Sequence, residues 1–175
     1  MLKPGISEKD HSMGDENALI TLVEFGDYQC PACASAYPII KNIQQNMGGA
    51  LRFVFRNYPL TEIHPDAFLA AVVAESASQQ NSFWDMHEML FENQQALSYE
   101  DLYGYAEKIG LDLELFKKDM GNEAIAKKVE KDMESGNESG VPGTPSFFIN
   151  GSKYNGDWDG NALYKTLKNL ELELS

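Results

Sequence analysis

Cysteine is scarce: the 175 residues contain two, Cys30 and Cys33, too few and too close together for a disulfide framework. Basic residues are also few, 14 Lys and Arg against 27 Asp and Glu, which leaves a formal charge of −13. Phosphate backbones and anionic lipid surfaces attract the opposite sign, so neither nucleic acid nor a membrane surface is expected as a partner. No apolar run approaches the roughly 20 residues of a membrane span, and no membrane insertion is expected. The opening residues Met1 to Asp10 lack the apolar core of a signal sequence. As it stands the chain reads as cytoplasmic, or as periplasmic or otherwise extracytoplasmic if a leader was removed. Only His11, His64 and His87 could join the two cysteines around zinc. None has paired spacing, and no metal is expected. There is no internal repeat and no low-complexity tract.

The chain is organised around Leu19-Ile-Thr-Leu-Val-Glu-Phe25, an apolar, β-branched run that reads as a buried strand. Cys30-Pro31-Ala32-Cys33 follows four residues later, and Ala36, Ile40 and Ile43 then share one face of a helix that runs to Met47. The cysteines therefore stand where a strand hands over to a helix. Cys30 falls at the N-cap and Pro31 at the first helical position, where a missing N–H costs nothing. Free backbone N–H groups and the positive end of the helix dipole favour a thiolate there. Cys30 is the expected nucleophile and Cys33, one turn later, the expected resolving thiol.

Gly48-Gly49 ends that helix, and Leu51 to Arg56 reads as a second strand, parallel to the first through a right-handed crossover. From Asp66 to about Asn137 the chain reads as almost wholly helical. Phe68, Val72 and Val73 form one amphipathic face, and Phe83, Met86, His87 and Leu90 form another. Ser98 and Asp101 make a capping box. Gly110 is a stop, Leu113, Phe116 and Met120 mark a short helix, and Ile125, Val129 and Met133 a longer one ending near Gly136. Strands return at Ser146–Ile149 and 152–154, joined by an Asn150-Gly151 hairpin turn. A final helix, capped by Asp159, carries Leu163, Leu167 and Leu170. Residues 1–17, polar and without a period, read as a loose arm.

The landmarks Val23-Glu-Phe-Gly-Asp-Tyr-Gln-Cys-Pro-Ala-Cys33, Phe55-Arg-Asn-Tyr-Pro-Leu60, His64-Pro65, Phe83-Trp-Asp-Met-His87, Gly140-Val-Pro-Gly-Thr-Pro145 and Phe147-Phe-Ile-Asn-Gly151 span nearly the whole chain. Through them it resembles the DsbA-like thioredoxin-fold family of thiol–disulfide oxidoreductases. The resemblance implies an α/β thioredoxin-like fold, a mixed central sheet with helices on both faces. Residues 18–61 and 139–175 would form the thioredoxin-like domain and 62–138 a helical insertion. It further implies no bound cofactor and dithiol–disulfide exchange at Cys30–Cys33, chiefly to form disulfide bonds. The partners would be protein or peptide thiols and disulfides, together with a redox partner that re-oxidises or re-reduces the pair. Thr144–Pro145 would carry a cis bond that holds a substrate backbone beside Pro31 and Ala32, whereas Pro142 reads as an ordinary trans proline. Glu24, a carboxyl in an apolar strand, would lie beneath the cysteines and relay a proton to and from Cys33. Strong oxidants of this family typically carry histidine where Ala32 stands, so a less oxidising disulfide is expected.

Plainer readings apply to other residues. His87, Trp84, Met86 and Met89 are expected in the core, His64 in a turn, and the acidic stretch Glu130–Glu138 on a solvated helix face. The same pair run in reverse as a reductase or isomerase is an alternative. So is a non-catalytic binding module with a structural Cys30–Cys33 disulfide.

Overall fold

The structure, a computed structural model, describes residues 1–175. Its five strands are β1 (His11–Met13), β2 (Ile20–Gly26), β3 (Leu51–Asn57), β4 (Ser146–Ile149) and β5 (Ser152–Lys153). They form one sheet in the order β1-β3-β2-β4-β5, with β2 and β3 parallel and every other pair antiparallel. Helix α1 (Pro31–Met47) connects β2 to β3. The segment between β3 and β4 holds α2 (Ala67–Ser78), α3 (Phe83–Glu92), α4 (Tyr99–Lys108), α5 (Leu113–Met120) and α6 (Glu123–Glu138), and α7 (Ala162–Leu174) closes the chain.

Alternation along β2 divides its side chains between two cores. Ile20 and Leu22, with Phe53, Phe55 and Phe147 of the neighbouring strands, join Ala36, Ile40 and Ile43 of α1 and Leu163 and Leu167 of α7 in one large apolar cluster. That cluster extends through Met86 and Leu90 of α3 to Leu102 of α4 and Phe116 of α5. On the opposite face Val23, Phe25, Val54 and Phe148 pack with Leu2 and Val141. Both faces of the central strand are dry, which is why it reads as a continuous apolar run. The hairpin between β4 and β5 turns at Asn150 (φ 49°) and Gly151 (φ 87°), the two positive angles a tight primed turn requires.

Several expectations are corrected. The first 17 residues are not loose. Leu2 is buried and its N–H donates to the Gly151 carbonyl, and His11–Met13 pair antiparallel with β3. The arm is locked by Arg56, whose guanidinium donates to both carboxylate oxygens of Asp10 (2.8 and 3.0 Å), to the Pro4 and Gly5 carbonyls, and to Ser135 Oγ. No apolar period announces such a contact, because a network of polar bonds carries it. Helix α2 has no single apolar face. Nine of its twelve residues are buried, with Val73 in the large cluster and Val72 packed instead on Ile125 and Val129 of α6. Helix α6 runs through Gly136 to Glu138. Gly136 lies where a Cβ would collide with the Tyr58 ring, so close packing rather than a helix end explains it. Asp132, expected on a solvated face, is buried and accepts hydrogen bonds from the Asn57 backbone and side chain and from Lys128. Strand β5 is only two residues long, and α7 begins after Asn161 rather than Asp159, with no side-chain cap.

Arg56 and Asp10 are 3% and 7% exposed at their side chains. Removing one partner of a buried pair leaves the other charge uncompensated and costs about 3–5 kcal/mol. Arg56→Met should therefore lower stability by that order in urea unfolding and loosen the arm. Burial pushes the Asp10 carboxyl up, but its bonds to Arg56 bring it below its ordinary 3.8. The arm's contribution should accordingly be complete above about pH 4 and fade on acidification, a slope that Arg56→Met should lack.

Candidate active site

The turn between β2 and α1 is built by Asp27. Its buried carboxylate accepts the Gln29 N–H (2.7 Å) and the Leu60 N–H (2.9 Å), and its carbonyl accepts the Cys30 N–H (3.1 Å). This fixes the chain so that Cys30 takes extended backbone angles (φ −75°, ψ 121°) and serves as the N-cap, with Pro31 opening the helix. Both cysteines are free thiols; Cys30 is 6% exposed and Cys33 fully buried. Pro31 is exposed and Ala32 half-buried beside them.

The two sulfurs are strongly asymmetric. The Cys33 thiol donates to the Cys30 sulfur. With the Thr144 side chain and the backbone N–H groups of Cys33 and Ala32, it overcomes the cost of burial and pulls the Cys30 thiol from 9.0 down to about 5. Burial, and then that same hydrogen bond, push the Cys33 thiol well above its ordinary value. Cys30 is thus a thiolate at neutral pH, and Cys33 keeps its proton. Thr144 meets Cys30 in two ways. In the thiol form Cys30 Sγ donates to the Thr144 carbonyl at 3.6 Å. The Thr144 hydroxyl is buried with no other partner, free to donate once the thiolate forms. The Thr144–Pro145 peptide is cis, as is Lys3–Pro4, which no sequence signal singled out, while Pro142 is not.

Glu24 is 3% exposed, paired in register with Phe55 on β3 and Phe147 on β4. Its Oε2 has no hydrogen-bond partner. Burial, and secondarily the Cys30 charge, push its carboxyl up to about 8. Its charge also contributes to raising Cys33. The carboxyl is therefore protonated at neutral pH, the state needed to supply one proton, and Cys33 lies within reach of its field.

Other polar residues at the site were not legible as such. His64 Nδ1 lies 2.7 Å from the buried Asp27 carboxylate. His87 is in the core as expected, 2.8 Å from the Tyr28 hydroxyl, and burial lowers its pKa to about 3, so it is neutral. The Gln94 side chain, between α3 and α4, donates to the carbonyls of Tyr28 (3.0 Å) and Cys30 (2.7 Å). The polar run Asn93-Gln94-Gln95 has no motif to distinguish its middle residue.

A family model described as Thioredoxin matches residues 6–169. Over 163 residues the chain is 37% identical to the Na(+)/H(+) antiporter NhaA 1 of Salinispora arenicola, a match covering 93% of this chain and 25% of that protein. Over 170 residues it is 37% identical to the Na(+)/H(+) antiporter NhaA 1 of a Mycobacterium species, covering 96% and 28%. The chain thus spans about a quarter of the length of these curated relatives, and none of its helices is long and apolar enough to cross a membrane. Among solved structures it superposes on oxidised BdbD from Bacillus subtilis with a TM-score of 0.83, 27% identity and 94% of each chain covered. The catalytic domain of Proteus mirabilis ScsC, at 18% identity, shares the fold with a TM-score of 0.81 over 98% of this chain and 93% of that one.

If donated hydrogen bonds hold the Cys30 thiolate, removing donors should raise its titration midpoint, read from thiolate ultraviolet absorbance. Cys33→Ala should raise it by about one to two units and Thr144→Val by about one, since a hydrogen bond to a charged group is worth about 1.5–3 kcal/mol. Identical midpoints for Thr144→Val and wild type would remove the hydroxyl from this account.

Proposed function

The chain belongs to the thioredoxin family, and from that premise we propose that it is a DsbA-like thiol–disulfide oxidoreductase whose Cys30–Cys33 pair works as a disulfide donor to protein thiols. The observation that carries this direction is the depressed Cys30 thiol, at about 5. A stabilised thiolate favours the reduced pair and so makes the disulfide more oxidising. The value lies between those of thioredoxin, about 7, and of the strong oxidant DsbA, about 3.5. It supports a donor milder than the strongest of the family, in keeping with Ala32 between the cysteines.

In the proposed cycle a substrate thiolate attacks Cys30 Sγ of the oxidised pair. The Sγ–Sγ bond breaks, Cys33 leaves and takes up a proton, and a mixed disulfide joins substrate to Cys30. Cys33 is a poor leaving group because its thiol is raised, so a proton delivered by the protonated Glu24 eases this step. A second substrate thiolate then attacks the substrate sulfur of the mixed disulfide. Cys30 departs as a stable thiolate, the substrate has lost two electrons, and the pair has gained them. A separate redox partner must remove those electrons before the next turnover. Thr144 and Pro145 would hold the substrate backbone, with Pro31 and Ala32 forming the rim it crosses.

Two measurements test the reading. Cys33→Ser should accumulate a mixed disulfide at Cys30 with a disulfide-containing peptide; an intact fold with no adduct would overturn the assigned roles. A reduction potential for the wild-type pair of about −120 to −180 mV in glutathione buffers supports donation. About −270 mV would instead indicate a reductase, and a value well below about −300 mV a structural disulfide on a binding module.

A further inference from the structure

The segment between β3 and β4 holds every residue of the redox turn. Asp27 bonds His64, the Tyr28 hydroxyl bonds His87, and Gln29 exchanges hydrogen bonds with Asp66, accepting from its N–H at 2.8 Å. Cys30 itself is reached from this segment by Thr144, which meets its sulfur, and by Gln94, which meets its carbonyl. Its Nε2 donates to the Cys30 carbonyl at 2.7 Å and to the Tyr28 carbonyl at 3.0 Å, so one amide group bridges two carbonyls on either side of Gln29. No backbone N–H serves the Tyr28 carbonyl, and the Cys30 carbonyl otherwise accepts only from Ala34 N–H at 3.1 Å.

We propose that Gln94 is a positioning residue for the redox pair: its amide fixes the Cys30 peptide and neutralises the partial negative charge of the carbonyl beside the sulfur, stabilising the Cys30 thiolate. Two physical effects act together. The peptide plane after Cys30 determines how the Ala32 and Cys33 N–H groups aim at the sulfur, so a carbonyl held by the Ala34 N–H alone would tilt more readily and weaken those donors. A carbonyl oxygen with one hydrogen bond instead of two would also repel the thiolate more strongly, and the second N–H, from Gln94, draws that charge away. The redox chemistry of the pair is thereby tied to a side chain some sixty positions along the chain, in a connection between two helices.

The proposal rests on Cys30 being the exchanging sulfur. Its test compares wild type with Gln94→Leu, which removes the donor, Gln94→Glu, which keeps the shape but turns an oxygen toward the two carbonyls, and Gln95→Ala, an exposed neighbour. For each protein the Cys30 thiolate is titrated and the pair equilibrated with glutathione. For Gln94→Leu we expect a midpoint higher by about one unit and an equilibrium displaced about tenfold towards the disulfide, equivalent to about 30 mV in the reducing direction. Gln94→Glu should move both readouts the same way, and Gln95→Ala should leave both at wild-type values. Unchanged midpoint and potential in the two Gln94 variants would overturn the proposal even if their melting temperatures fell; should Gln94→Leu not fold, Gln94→Glu alone decides. Failure of wild type to equilibrate with glutathione would instead remove the oxidoreductase premise, and this role with it.

Discussion

The first backbone N–H groups of a helix have no carbonyl within the helix to bind, and something outside it must satisfy them. At the start of α1 the Ala32 and Cys33 N–H groups favour the charged form of the Cys30 sulfur. The arrangement needs an N-cap whose side chain gains by being charged, a turn rigid enough to hold it there, and a helix anchored firmly enough not to unwind at that end. The buried Asp27 carboxylate supplies the rigidity through two backbone N–H groups, one from its own turn and one from the loop after β3. Ala36, Ile40 and Ile43 anchor the helix in the large cluster. Sheet and helical block together serve to keep a few peptide dipoles aimed at Cys30.

The same core that anchors α1 isolates the groups beneath it. Cys33 and Glu24 are both buried and both pushed toward their neutral forms by that burial. An ionised carboxylate there would have no counter-charge, and its Oε2 has no donor to stabilise it. One proton on each of two buried acids, next to a sulfur that holds none, is an uneven distribution that burial creates and that bulk water would level. The cost of an unpartnered buried carboxyl is what a purely structural position would avoid, and an apolar residue would fit between Phe55 and Phe147 without it.

Elements with a single strong period were readable from sequence. Strand β2, helix α1 with its Cys30 cap, the Ser98–Asp101 capping box and the Asn150-Gly151 hairpin each follow from local chemistry that the fold does not override. The placement of the two cysteines at the strand–helix turn and the cis Thr144–Pro145 bond were readable because their residue types are rare and their order is distinctive. The failures have a common physical cause. The arm, Asp132, Gln94 and the His64–Asp27 pair are all held by polar bonds between residues far apart in sequence, and such bonds have no periodicity. Helix α2 misled for the opposite reason: a helix buried almost all round has no polar face against which an apolar one can be recognised.

The sheet ends on strands of three and two residues, β1 and β5. An open strand edge is a row of unpaired donors and acceptors, able to recruit any extended chain that comes near. A protein that exchanged disulfides with extended polypeptides, as proposed above, would be unusually exposed to that hazard, because its substrates would be in the conformation that adds to an edge. With edges this short, a visiting chain finds too few hydrogen bonds to lodge as a sixth strand. Under the proposed function it would be held beside the sulfurs only for as long as the exchange takes and would then diffuse away, so short edges would keep an oxidoreductase from nucleating the aggregation of its substrates.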